Sequence, residues 1–167
     1  MLRNFRCENI VQIMGSDIKP AGRNKKEAYI LLEYCSGGHL LDMLNKKAGS
    51  FLSMNTIADI FGQVLKAMEG LHAHTPPVTH RDLKLENLLL SRNGVIKLCD
   101  FGSCVSGTIP LTSQLERSRA EEVINKTTTQ AYRAPEMVDL FMREELTEKT
   151  DIWVSCCVCI QERQRDR

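Results

Sequence analysis

The 167 residues carry a net charge of +1, with 43% hydrophobic and 26% charged side chains. That balance suits one globular domain with a sizeable core, and it gives no basic patch to argue for nucleic acid or a membrane surface as partner. The first residues lack a signal-peptide core, no run is long enough to span a bilayer, and the 7 cysteines are scattered rather than set in a disulfide framework, which points to reduced thiols and a cytoplasmic setting.

Taken along the chain, Ala28-Tyr29-Ile30-Leu31-Leu32 is an apolar, strand-like run. The stretch before it, Lys19-Pro20-Ala21-Gly22-Arg23-Asn24-Lys25-Lys26-Glu27, has the Pro, Gly, Asn and charges of a solvated loop. Ser36-Gly37-Gly38 opens a short helix over residues 39–47. Residues 53–74 place Ile57, Ile60, Phe61, Val64, Leu65, Met68 and Leu71 at helical spacing, with Ser53 as N-cap and Thr75-Pro76-Pro77 as the stop. His72 and His74 have no metal-ligand company and read as ordinary helix-end histidines. Leu88-Leu89-Leu90, Ser91-Arg92-Asn93-Gly94 and Val95-Ile96-Lys97-Leu98 read as strand, turn and strand. Gly107-Thr108-Ile109-Pro110 looks like a turn. Ser113-Gln114-Leu115-Glu116 is a capping-box pattern, and residues 117–124 continue it as a helix with Leu115, Ala120, Val123 and Ile124 as apolar contacts.

Four short motifs stand in fixed order: His80-Arg81-Asp82-Leu83-Lys84-Leu85-Glu86-Asn87, Asp100-Phe101-Gly102, Ala134-Pro135-Glu136 and Asp151-Ile152-Trp153. Each alone says little; together the order and spacing are specific, and the set resembles the larger lobe of a eukaryotic protein kinase. The resemblance implies an α+β, protein-kinase-like fold that is incomplete. Residues 1–32 would be the remnant of the small lobe with two strands, 33–35 the hinge, 36–153 a partial and mainly helical large lobe, and 154–167 a divergent tail. It implies ATP and Mg²⁺ as cofactors. Asp82 would accept the proton of the substrate hydroxyl, and Lys84, two residues on, would meet the γ-phosphate. Asn87 and Asp100 would supply oxygen ligands to Mg²⁺, brought together by the hairpin between them. By the same alignment Leu32 is the gatekeeper, Glu33 and Cys35 belong to the nucleotide-binding hinge with Cys35 at the adenine, and Cys99 precedes the metal-binding Asp100 in the cofactor pocket. Thr129 falls where serine/threonine kinases keep a threonine facing Asp82 and Lys84, which favours Ser or Thr over Tyr as acceptor. His80 would be a scaffold of the loop rather than a proton carrier.

Cys99-Asp100-Phe101-Gly102-Ser103, the helix-prone segment after it and Thr127-Thr128 leading to Tyr132-Arg133-Ala134-Pro135-Glu136-Met137 resemble the Numb-associated kinase family. The string from His80 to Leu90 is also close to theirs. This resemblance, which covers residues 9–153, implies a serine/threonine kinase in clathrin-mediated endocytosis. Its protein substrates would include clathrin adaptor subunits, and it would work in the cytoplasm and peripherally at clathrin-coated membranes.

The departures point another way. Nothing before His80 reads G-x-G-x-x-G or V-A-I-K, and Val154-Ser155-Cys156-Cys157 stands where the family continues Ala-Leu-Gly-Cys. The arginine expected to pair with Glu136 is missing. Cys156, Cys157 and Cys159 have no matching C-x-x-C or His pair and do not read as a zinc set. Two function classes therefore stand side by side: the kinase, and a catalytically inactive fragment that acts as a binding module or as a non-functional product.

Overall fold

The structure, a computed structural model, describes residues 5–22, 25–46 and 52–164, with side chains as far as residue 157. Lys47 at the end of the first expected helix, Arg23 and Asn24 of the expected loop, and Cys159 lie outside the described residues and side chains.

The chain opens with an antiparallel hairpin, β1 (Ile13–Pro20) and β2 (Lys26–Leu32), in register from Ile13↔Leu32 to Pro20↔Lys26. The ladder takes in Lys19, Pro20, Lys26 and Glu27, which the sequence places in a loop. Every residue of β2 is exposed, so the strand needs no alternation of apolar and polar side chains. Before the hairpin, Val11 donates to the Leu98 carbonyl at 2.9 Å, and Leu98 donates to Asn9 at 2.8 Å, fastening this segment to the rest.

β3 (Gly38–His39) is a two-residue strand, so the helix expected from residue 39 begins one residue later as α1 (Leu40–Lys46). Gly37 sits hard against the chain ahead: a Cβ there would lie 2.6 Å from Leu90 Cβ and 2.8 Å from the Leu90 carbonyl oxygen. α2 (Met54–His72) is the organising helix. Ser53 caps it by accepting from Thr56 N at 3.1 Å. Its buried line is Ile57, Ile60, Val64, Ala67, Met68 and Leu71; Leu65 falls off that line and is exposed.

β4 (Val78–Thr79) leads into the loop of residues 80–84. A turn of 3₁₀ helix (Leu85–Asn87) follows, then the expected hairpin of β5 (Leu88–Leu90) and β6 (Ile96–Leu98). β5 also pairs with β3. The principal core joins α2 to Leu40 and Leu44 of α1, to Leu83 and Leu85, to Leu88, Leu90, Ile96 and Leu98 of the hairpin, and to Phe5 and Ile10. Each fully buried leucine of this set contributes about 1.5–3 kcal/mol.

β7 (Val105–Ser106) pairs with β4, and β8 (Ile109–Pro110) pairs with β9 (Glu145–Leu146). The chain turns between β7 and β8 at Gly107, whose φ of 82° suits glycine. α3 (Gln114–Thr127) starts with the expected capping box, in which Ser113 Oγ accepts from Glu116 N while the Glu116 carboxylate accepts from Ser113 N. Leu115 and Val123 are exposed, contrary to expectation, and only Ala120 and Ile124 face inward. The reason is the narrowness of the second core, which α3 shares with Leu111, Ala134, Met137 and Leu140 around α4 (Pro135–Val138) and with Leu146. α5 (Lys149–Gln164) runs on through Val154 and Ser155, both buried; the segment that departs from the family pattern thus continues as helix.

Candidate active site

The candidate site forms where the loop after β4, which carries Asp82 and Lys84, meets Thr129, the second residue beyond α3. Arg81 takes φ 68° and Asp100 takes φ 59°, left-handed values uncommon for residues with a side chain. Such backbone holds only where the surroundings over-determine it.

Those surroundings are visible. The fully buried Asp151 at the start of α5 accepts the His80 and Arg81 backbone N–H groups at 2.7 and 2.9 Å, and His72 Nε2 lies 2.9 Å from the same carboxylate. His72 is therefore more than a helix-end residue: it ties α2 to this anchor. His80 is buried beneath the loop, with Nε2 3.1 Å from the Cys99 carbonyl and Nδ1 3.3 Å from Asp82 N. Those partners assign the proton to Nε2 and leave Nδ1 as acceptor, and burial pulls the imidazole pKa down, so the ring is neutral. It is a strut. Phe101 packs edge-on against it at 5.4 Å.

Asp82 is held on every side. Its Oδ1 accepts from Thr129 Oγ1 at 2.7 Å and Thr129 N at 3.2 Å. Its Oδ2 accepts from Lys84 Nζ at 2.8 Å and Asn87 Nδ2 at 3.2 Å. Lys84 Nζ also donates to Thr129 Oγ1 at 3.2 Å. Burial alone would raise the Asp82 pKa, but the hydrogen bonds from Lys84 and Thr129 and the Lys84 charge outweigh it and hold the carboxyl below its ordinary value. The partner responds in kind: the bond to Asp82 raises the Lys84 pKa. A carboxylate so stabilised is a weak base but a well-oriented acceptor.

Asn87 commits its amide nitrogen to Asp82, donating to the backbone carbonyl at 2.8 Å as well as to the carboxylate. Its amide oxygen then faces away from that contact. Cys99 N donates to the Asn87 carbonyl at 2.9 Å, which sets Asp100 beside Asn87. Asp100 is exposed, and one of its oxygens accepts from Gly102 N at 3.2 Å. An amide oxygen and a carboxylate are donors a hard dication takes, with phosphate oxygens and water completing the shell, so the residues present fit Mg²⁺ held against a nucleotide. Among the described residues no group of three His, Cys, Asp or Glu gathers as a metal cluster.

The remaining candidates are less tightly drawn in. Cys35 is buried and close enough to Cys99 to act on its charge. Burial pushes the Cys99 thiol up to about 11, with Asp100 and Cys35 adding to it. Glu33 joins the site indirectly: its carboxylate takes Lys97 Nζ at 2.9 Å and Gln12 N at 2.7 Å, fastening the segment after β2 to β6. Leu32 stands at the end of β2, paired with Ile13 and 46% exposed, outside the hydrogen-bonded cluster.

Three contributors escaped sequence reasoning. Lys97 fixes Glu33 from a strand that reads as apolar packing. Ser103 links the two halves of the site, its hydroxyl donating to the Thr127 carbonyl at 2.6 Å while its own carbonyl accepts from Arg81 Nε at 2.6 Å. Arg133 donates to Thr128, Asn125 and Ile124 at the end of α3. None carries a spacing signal; Arg133 stands next to the Ala134-Pro135-Glu136 motif and was legible only as its neighbour.

A loop that presents an aspartate, a lysine and an asparagine in this mutual arrangement, followed by a second aspartate on a strained turn, matches the motif order of protein kinases. The chain belongs to the protein kinase domain family, whose model matches residues 1–164. It is similar to a probable serine/threonine-protein kinase of Dictyostelium discoideum, 39% identical over 161 residues, covering 95% of this chain and 14% of the relative. It is also similar to two proteins of Saccharomyces cerevisiae. Actin-regulating kinase 1 is 42% identical over 127 residues, covering 76% of this chain and 20% of the relative. Actin-regulating kinase PRK1 is 41% identical over 128 residues, covering 76% and 16%. The chain thus spans a fifth or less of the length of these relatives. Its mixed strands and helices are those of a partial kinase fold, as the sequence leads one to expect.

Proposed function

We propose that this chain carries the catalytic loop of a serine/threonine protein kinase and serves transfer of the ATP γ-phosphoryl group to Ser or Thr of a protein substrate. The observation that carries the reading is the joint engagement of Asp82 by Lys84, Asn87 and Thr129. Asp82 orients the acceptor hydroxyl and takes its proton as the bond to phosphorus forms; its depressed pKa makes orientation the larger part of that role. Lys84 places a positive charge at the same point. Asn87 and Asp100 would hold Mg²⁺, and Cys35, Cys99, Leu32 and Glu33 would line the adenine end. Bound MgATP supplies the phosphoryl group, with the metal neutralising charge on the phosphates.

Within the kinases we place the chain in the Numb-associated family. The support is the Cys99-to-Ser103 string, a capped helix in the activation segment and the Thr127-to-Met137 run. Clathrin adaptor subunits as substrates, a part in clathrin-mediated endocytosis and residence in the cytoplasm and at coated membranes follow from that placement. Two relatives bear the name of actin-regulating kinases, so regulation of actin joins the roles proposed for this chain.

The test joins this segment to the small lobe and distal large lobe of an active relative. Asp82→Asn should lower phosphorylation of a threonine peptide by a hundredfold or more, on the order expected for loss of general-base and positioning roles, with MgATP affinity nearly unchanged. Asp100→Ala should instead weaken MgATP binding. Undiminished turnover in Asp82→Asn would sink the assignment.

A further inference from the structure

The peptide group between Thr128 and Thr129 is gripped at both ends. Its N–H, that of Thr129, points at Asp82 Oδ1 at 3.2 Å. Its carbonyl, that of Thr128, accepts from Arg133 Nη2 at 3.4 Å. The peptide unit is planar, so fixing the carbonyl fixes the direction of the N–H. We propose that Arg133 is a positioning residue for the acceptor side of the site: it sets the Thr128–Thr129 peptide so that the Thr129 N–H and hydroxyl face Asp82. This rests on the reading of Asp82 as the carboxylate that faces the acceptor.

The guanidinium suits the task. Besides the Thr128 carbonyl it reaches Thr128 Oγ1 through Nε at 2.9 Å, Asn125 Oδ1 through Nη1 at 2.8 Å, and the Ile124 carbonyl through Nη2 at 3.4 Å. All lie at the C-terminal end of α3, where the helix dipole favours a cation. Thr128 itself turns back on the helix, its N–H and hydroxyl both meeting the Ile124 carbonyl at 3.0 and 2.7 Å. Arg133 thus closes the last turn and the peptide beyond it into one rigid unit. Four acceptors spread over three residues match a planar, five-donor fork; a lysine ammonium on a flexible stem cannot reach them together. On the opposite side Ser103 Oγ holds the Thr127 carbonyl, so the junction can pivot only if one tether is released.

The experiment reads amide hydrogen exchange by NMR on the purified chain. In Arg133→Ala the Thr129 amide should exchange about tenfold faster or more, in line with the loosening of one tether in a positioned site. Amides of the α2 core, such as Val64 and Leu71, should keep their rates. Arg133→Lys should not restore Thr129 protection. Arg117→Ala should leave it intact, since Arg117 is an arginine of α3 itself but contacts the Leu140 carbonyl and the Phe141 ring instead. Should Arg133→Ala fail to fold, Thr128→Val and Arg133→Lys carry the same comparison. The proposal is overturned if Thr129 stays protected in these variants, if lysine substitutes fully, or if α2 amides speed up equally. Kinetics on the segment joined to an active relative's lobes give a second reading. There Arg133→Ala should lower kcat about tenfold while KM for MgATP moves by no more than about twofold; a loss confined to KM for MgATP would count against the proposal. Asp82→Asn in the same assay separates the two claims: if that variant keeps turnover the functional reading fails, whereas the exchange result bears on Arg133 alone.

Discussion

The Asp151 carboxylate accepts the His80 N–H at 2.7 Å across 71 residues of chain. With the Arg81 N–H and the His72 ring on the same carboxylate, one buried side chain decides where the loop of residues 80–84 begins.

Asp151→Ala should therefore be severe. It strands two buried backbone donors and a ring nitrogen, each unsatisfied group costing about 1–3 kcal/mol. A total on the order of 3 kcal/mol or more follows, read as a fall in the urea midpoint at unchanged slope. Asp151→Asn keeps an acceptor oxygen and should lose less. An alanine variant within about 1 kcal/mol of the parent, the scale of a single unmade bond, would show that the loop is held elsewhere.

The capping box of α3 gives a pH signature. Hydrogen bonds from the Thr112 hydroxyl first, and then from Ser113, lower the pKa of the exposed Glu116. A carboxylate depressed on folding stabilises fully above its ordinary unfolded value and loses that contribution as pH falls through the folded value. The first turn of α3 should thus fray only in acid, below the usual glutamate range, while α2 amides stay protected. Ser113→Ala removes the cap, costs about 1 kcal/mol of helix stability and should bring fraying to neutral pH. Exchange rates in α3 that ignore both pH and the substitution would refute this.

How much of this was legible follows from what the signals are. α2, its Ser53 cap, the β5–β6 hairpin and the α3 capping box depend on neighbours within a few residues, and periodicity and capping chemistry report them. The order of the motifs placed Asp82, Lys84, Asn87, Asp100 and Thr129 in one neighbourhood. The burial of α3 was misread because Leu115 and Val123 are apolar without being covered; a sequence shows which residues would benefit from burial, not whether a partner surface exists. The hairpin ran longer than expected because a two-sided exposed strand has no pattern to betray it. The tethers of Lys97, Ser103 and Arg133 join residues whose proximity only the fold creates.

Two glycines should answer oppositely. Gly37→Ala puts a methyl 2.6 Å from Leu90 Cβ and against backbone, and overpacking of that kind costs about 1–3 kcal/mol. Gly62 lies inside α2 with open space around its missing Cβ, so Gly62→Ala should stabilise by about 0.5–1 kcal/mol through backbone entropy. Thermal melts of the two variants that move the same way would contradict the close approach at Gly37.

The ion pair of Glu33 and Lys97, at 2.9 Å, joins the segment after β2 to β6 with unequal burial: 11% of the Lys97 side chain is exposed against 25% for Glu33. Removing the acid leaves a nearly buried ammonium without its partner, whereas removing the lysine leaves a carboxylate that still accepts from Gln12 N at 2.7 Å and meets more solvent. Glu33→Ala should therefore destabilise more than Lys97→Met, by about 1–3 kcal/mol against about 1 kcal/mol or less, since an uncompensated buried charge costs more than a lost pair. The double variant should recover much of the Glu33→Ala loss, because the orphaned charge is gone. A double-mutant cycle in urea measures this directly, and strictly additive losses would show that the two residues hold the segment independently. The same cycle bears on function: if Glu33 sets the direction of the segment carrying Cys35, Glu33→Ala should weaken MgATP binding in the assembled kinase through that segment, since its carboxylate is engaged by Lys97 and Gln12.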